Sequence, residues 1–203
     1  MRLGLNSSNE AACGAAWDLN VVIACEDSST AAPVCEVLEL IELNLHDEGR
    51  LNYLWWNFEV LAIPTLRELA AAEAATADLI IIGIHEGREL PQEVNDWMNL
   101  WLPLRKDRPG ALVAVLDSDL NQQGALQEII SQLKQVAALG QMDFFASRAS
   151  DVGRDAGVTG RVSDVVRQFV MARKNGAQLG LPSAGRLPAE TCGAAKQFHQ
   201  ARL

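Results

Sequence analysis

Apolar positions along the chain switch between two periods, and the switching predicts five strands, each followed by a helix. Asn20 to Cys25 (NVVIAC) is short, apolar and β-branched, as expected of a strand buried on both faces. Val34, Val37, Leu38, Ile41 and Leu45 then recur at helical spacing, while Glu36, Glu39 and Glu42 face elsewhere, so an amphipathic helix ends near Gly49. Ser28 and Ser29 are its expected N-caps, and Pro33 falls in its first turn, where a missing N–H costs little. Asn52 to Leu61 (NYLWWNFEVL) reads as the second strand and Pro64 to Ala77 as a helix. Asp78 to Ile84 (DLIIIGI) is the strongest strand signal and predicts the centre of a sheet. A helix from Pro91 carries Val94, Trp97, Met98, Trp101 and Leu102 on one face, with both tryptophans in the core. Ala111 to Leu116 (ALVAVL), a helix over 121–139 and Met142 to Ala146 (MDFFA) follow. A last helix, capped by Ser163, carries Val165, Val166, Phe169 and Val170.

Repeated βα units imply right-handed crossovers and a parallel sheet covered on both faces. The expected fold is an α/β three-layer sandwich of the flavodoxin-like kind, with strand order 2-1-3-4-5. Residues 1–19 lack periodicity and read as a flexible lead-in, 20–175 as the folded domain, and 176–203 as a flexible tail rich in Gly, Pro and Ala. Trp55 and Trp56 point to opposite faces of the second strand. Both are buried if that strand is internal; if it is an edge, one of them marks an interface.

Composition bounds the function classes. The 203 residues are 49% hydrophobic and 21% charged, with mean hydropathy +0.04, which excludes a wholly disordered chain, a collagen and a coiled coil. No apolar run approaches the ~20 residues that cross a membrane, and residues 1–20 lack a secretory pattern. Cys13, Cys25, Cys35 and Cys192 form no CxxC pair, which suggests free thiols in a reducing cytoplasm. The net charge of −9 argues against nucleic acid or an anionic membrane as partner. That charge is uneven: residues 1–100 carry a net −13 and no lysine, and 101–203 a net +4. Either the acidic half carries solvated helix faces, or one side of the domain presents a negative field to a basic partner or a cation.

In such a sheet, chemistry collects at the carboxyl ends of the strands. The first strand delivers Glu26 and Asp27, the third Gly83, His85 and Glu86, the fourth Asp117, Ser118 and Asp119, and the fifth Ser147 and Arg148. Glu26, Asp27, His85, Glu86, Asp117 and Asp119 are candidate ligands of a divalent cation such as Mg²⁺, with the histidine favouring a transition metal. The competing account makes several of them helix caps or first-turn acids, and His85 a loop residue bonded to backbone. No Ser-His-Asp or Cys-His arrangement, GxxxxGK[ST] or strand-following GxGxxG is present, and Cys25 beside Glu26 is poorly placed for a thiolate. Gly153, Gly157 and Gly160 are read as a loop.

Across residues 20–175 the chain resembles a bacterial response-regulator receiver domain, on the five-fold βα order and on the likeness of Asp78–Ile84 and Met142–Ser147 to that family's third and fifth strands. Glu26-Asp27 matches the family's Mg²⁺-holding acidic pair. Gly83 stands where the family has its phosphoacceptor aspartate, Asp117 where it has Ser or Thr, and Ser147-Arg148 where it has Lys-Pro. A glycine supplies no carboxylate nucleophile. The resemblance therefore implies a degenerate receiver with no resident cofactor, a non-catalytic signalling or scaffolding domain acting on a protein partner or as a homodimer. Whether the chain is an enzyme stays open. A metal-dependent hydrolase built on the acidic cluster and His85 is the alternative, and a flavodoxin-like binder of a flavin or another small ligand is a third.

Overall fold

A computed structural model describes residues 17–45, 49–85, 89–105, 108–117 and 123–149. Five parallel strands lie in the order β2-β1-β3-β4-β5: β1 Trp17–Cys25, β2 Gly49–Asn57, β3 Leu79–Ile84, β4 Gly110–Leu116 and β5 Met142–Arg148. Between them run α1 Ser28–Leu45, α2 Phe58–Leu61, α3 Pro64–Thr76, α4 Gln92–Trp101 and α5 Gln123–Leu139. The expected α/β sandwich and its strand order are both present. The helix after Ser163, the glycine loop before it and the tail from residue 176 lie outside the described residues.

Where β1, β2 and α1 depart from the sequence pattern, local chemistry accounts for it. β1 begins at Trp17, inside the segment read as lead-in, because Trp17–Leu19 pair with Gly49–Leu51 and Leu19 is fully buried. β2 ends at Asn57, whose side chain accepts the Glu59 N–H at 2.7 Å and caps α2. Phe58 and Leu61, expected in a strand, are thus helical and drop into the core. The cap of α1 is Asp27, not Ser28 or Ser29.

Strand parity sorts the apolar residues onto the two faces of the sheet. Val22, Ile80, Ile82, Leu112 and Ala114 pack against Ala70 and Ala74 of α3, Trp97 and Trp101 of α4 and Leu133 of α5. Leu19, Val21, Ile23, Ile81 and Val113 pack on the other face with Val34, Leu38 and Ile41 of α1. Every residue of β3 and β4 is buried, as unbroken apolar runs in the middle of a parallel sheet require. Edge strand β2 alternates from Gly49 to Leu54 and then leaves Trp55 exposed as well, while Trp56 turns inward and its Nε1 donates to Glu73 at 3.0 Å. Trp97 and Trp101 are in the core as expected, edge to face with ring centroids 6.0 Å apart.

A buried guanidinium closes the amino end of the sheet. Arg105 is 3% exposed and donates to the carbonyls of Ala74, Ala77, Arg108 and Pro109, so it joins the end of α3 to the approach to β4. Burial, and the charge of Arg108, pull its pKa down to about 10, partly offset by Asp78. Gly110 makes room for it, since any side chain there would overlap the guanidinium. Beside it Asp78 accepts the Asn20 N–H at 2.9 Å and pairs with Arg108 at 3.3 Å, tying β1 to β3.

Candidate functional site

At the carboxyl end, the parallel register aligns Asn57, Cys25, Gly83, Val115 and Ser147 across the sheet. The chain leaves β1 and β3 in opposite senses here, which makes this edge the topological switch point, where sheets of this kind place their ligands.

Glu26, Asp27, His85 and Asp117 all reach this edge. The Glu26 N–H donates to the Gly83 carbonyl at 3.0 Å, and its carboxylate accepts the His85 N–H at 2.9 Å, so one residue bridges β1 to β3 through both of its ends. The Asp117 N–H donates to Ile84 O at 2.8 Å, which brings its carboxylate to 3.1 Å from His85 Nδ1. Side-chain exposures of 38% and 40% leave the His85–Asp117 pair half open to solvent, with hydrogen-bonding capacity to spare.

Asp27 lies near enough to His85 to feel its charge, but its carboxylate is engaged by the start of α1. Its Oδ1 accepts the Ser29 N–H at 2.9 Å, the Ser29 hydroxyl at 2.6 Å and the Thr30 N–H at 3.1 Å, while the Thr30 hydroxyl returns to the Asp27 carbonyl at 2.9 Å. Partial burial raises the pKa of this carboxyl, but the donors from Ser29 and Thr30 outweigh that and hold it below the usual carboxylate range.

Behind the turn, Gly83 lets three segments converge. A Cβ there would meet Cys25 Sγ at 2.9 Å and Thr30 Cβ at 3.1 Å. Cys25 is buried, and burial pushes its thiol up to about 12 despite hydrogen bonds involving Thr30 and Gly83. It is no nucleophile at neutral pH. Ser147 is also buried and donates to the Arg148 carbonyl at 3.2 Å.

The described part of the acidic cluster is engaged in other contacts. Glu26 and Asp27 are spent on backbone N–H groups of different segments, and among the described residues no three His, Cys, Asp or Glu side chains are grouped to hold a cation. Glu86, Ser118 and Asp119 lie outside the described residues. The competing account, with several of these acids as helix caps, holds for Asp27; sequence reasoning missed Glu26 as a bridge, for which the sequence carries no signal.

No protein-family model and no curated protein sequence matches the chain. Among solved structures, a short-chain flavodoxin associated with a non-canonical PDU bacterial microcompartment aligns with TM-score 0.52 and 9% identity, over 76% of this chain and 99% of that one. The rubredoxin oxygen:oxidoreductase of Desulfovibrio gigas aligns with TM-score 0.50 and 12% identity over 81% of this chain, which spans only 37% of that protein. Likeness at such identity is likeness of fold. It lies with a flavodoxin and an oxidoreductase, where the sequence pointed to a response-regulator receiver. The degenerate receiver, its non-catalytic signalling role, the metal-dependent hydrolase, and the expectation of no cofactor or of Mg²⁺ are overturned accordingly. The two folds share a strand order, and Gly83 stands where it does because Cys25 and Thr30 fill the space a side chain would need.

Proposed function

We propose that this chain is a flavodoxin-like redox domain that binds a flavin-class ligand at the switch point between β1 and β3, beside His85 and Asp117. The observation that carries this reading is the half-open group of Glu26, His85 and Asp117 at the switch point of a β2-β1-β3-β4-β5 sheet. Flavodoxin, whose sheet has that order, takes flavin mononucleotide at the same switch point. The alignment with a flavodoxin over nearly all of that protein's length supports it.

The residues suit one end of such a ligand. The His85 ring and the Asp117 carboxylate offer a donor and acceptors to a polar ring edge. A bound flavin would supply electron transfer; the chain's part is to orient the ring and exclude water around it. The phosphate end does not fit the β1–α1 turn, where a carboxylate already holds the amide groups.

Titration of the purified chain with riboflavin, followed by quenching of flavin fluorescence, tests the reading. Saturable binding at one site per chain is expected, weakened about tenfold by His85→Ala, the scale of one lost hydrogen bond. Absence of quenching by riboflavin, and equally by FMN, up to their solubility limits overturns it.

A further inference from the structure

The start of α1 is where a sheet of this order offers amide groups to a ligand's phosphate. Here three donors of that turn, the Ser29 and Thr30 amides and the Ser29 hydroxyl, converge on Asp27 Oδ1 at 2.6 to 3.1 Å. The Thr30 hydroxyl is buried and turned to the Asp27 carbonyl. No lysine or arginine lies between Arg2 and Arg50, so neither β1 nor α1 brings a counter-charge. Glu26, next in the chain, adds a second carboxylate whose Oε2 lies 2.9 Å from the His85 nitrogen.

We infer that Asp27 is a built-in anion filling the phosphate seat of the fold, so that the ligand admitted is an unphosphorylated flavin of the riboflavin class and FMN is excluded. A phosphate carrying nearly two negative charges would have to displace the carboxylate from the amides it satisfies, or sit against it unshielded. An uncharged ribityl chain meets no such cost. Asp27 is on this account a specificity-determining residue, a role that rests on the flavin reading above.

Wild type and Asp27→Ser, each titrated with riboflavin and with FMN, test the inference. Serine remains a competent helix cap, and Asp27→Asn repeats the test at constant size. Wild type is expected to bind riboflavin at least about tenfold more tightly than FMN, the scale of one unit charge a few ångströms away in a partly exposed site. Asp27→Ser should raise FMN affinity by about the same factor and leave riboflavin nearly unchanged. FMN binding to wild type as tightly as riboflavin overturns the inference and leaves the flavin reading standing. So does an equal rise for both ligands in Asp27→Ser. Binding of neither flavin to any of the three proteins overturns the flavin reading, and the inference with it.

Discussion

Gly83 and Cys25 are register partners on β3 and β1, and a Cβ on the glycine would lie 2.9 Å from the cysteine sulphur and 3.1 Å from Thr30 Cβ. Neither neighbour can move freely, because both are buried and Thr30 belongs to the first turn of α1. Gly83→Ala is therefore expected to lower stability by about 1–3 kcal/mol, the usual cost of overpacking a filled core. Gly83→Asp should cost more, since it adds a buried carboxyl with no partner. Urea unfolding followed by circular dichroism measures both.

The Cys25 thiol, pushed up to about 12 by burial, stays protonated through the working range of alkylating reagents. Iodoacetamide at pH 8 should leave Cys25 unmodified in the folded protein and label it in urea, as read by peptide mass spectrometry. Rapid labelling of the native protein would contradict its burial.

Asp27 predicts a pH dependence. Its folded pKa lies below its unfolded value, so the stability it contributes is whole above the unfolded pKa and is lost as the pH falls through the folded one. Asp27→Ala should cost about 1 kcal/mol at pH 7, the ordinary worth of an N-cap, and progressively less below about pH 4. Urea midpoints of the two proteins from pH 7 to pH 2 should converge at the acid end.

At the opposite end of the sheet, Arg105→Ala strands the carbonyls of Ala74, Ala77, Arg108 and Pro109 and opens a space beside Gly110. A loss of about 3 kcal/mol or more is expected. Lysine should not rescue it, having a single nitrogen where the guanidinium spreads its donors over four carbonyls.

The sheet was legible because β3 and β4 are unbroken apolar runs and α1, α4 and α5 carry apolar residues at helical spacing, patterns that survive without tertiary context. The boundary at Asn57 was hidden because Phe58 to Leu61 is as compatible with a strand as with a turn of helix, and only the capping bond at Glu59 decides. The residues of the candidate site were legible as well, since strand ends collect function and Glu26, Asp27, His85 and Asp117 sit at them. Their arrangement was not. Whether two adjacent acids turn toward one ion or toward separate backbone amides depends on loop geometry, which carries no periodicity. Arg105 was invisible for a related reason: in a sequence a buried arginine looks like any surface one.

The chain has five tryptophans, and two pairs of them report on different places. Trp97 and Trp101 pack edge to face in the buried core, whereas Trp55 and Trp56 occupy the edge strand, one facing water and the other hydrogen-bonded to Glu73. The two pairs accordingly contribute different emission, a blue component from α4 and a redder one from β2. If the edge peels away before the core melts, the red component changes first, and the order of the two changes shows directly whether the sheet unzips from β2 or collapses as a unit.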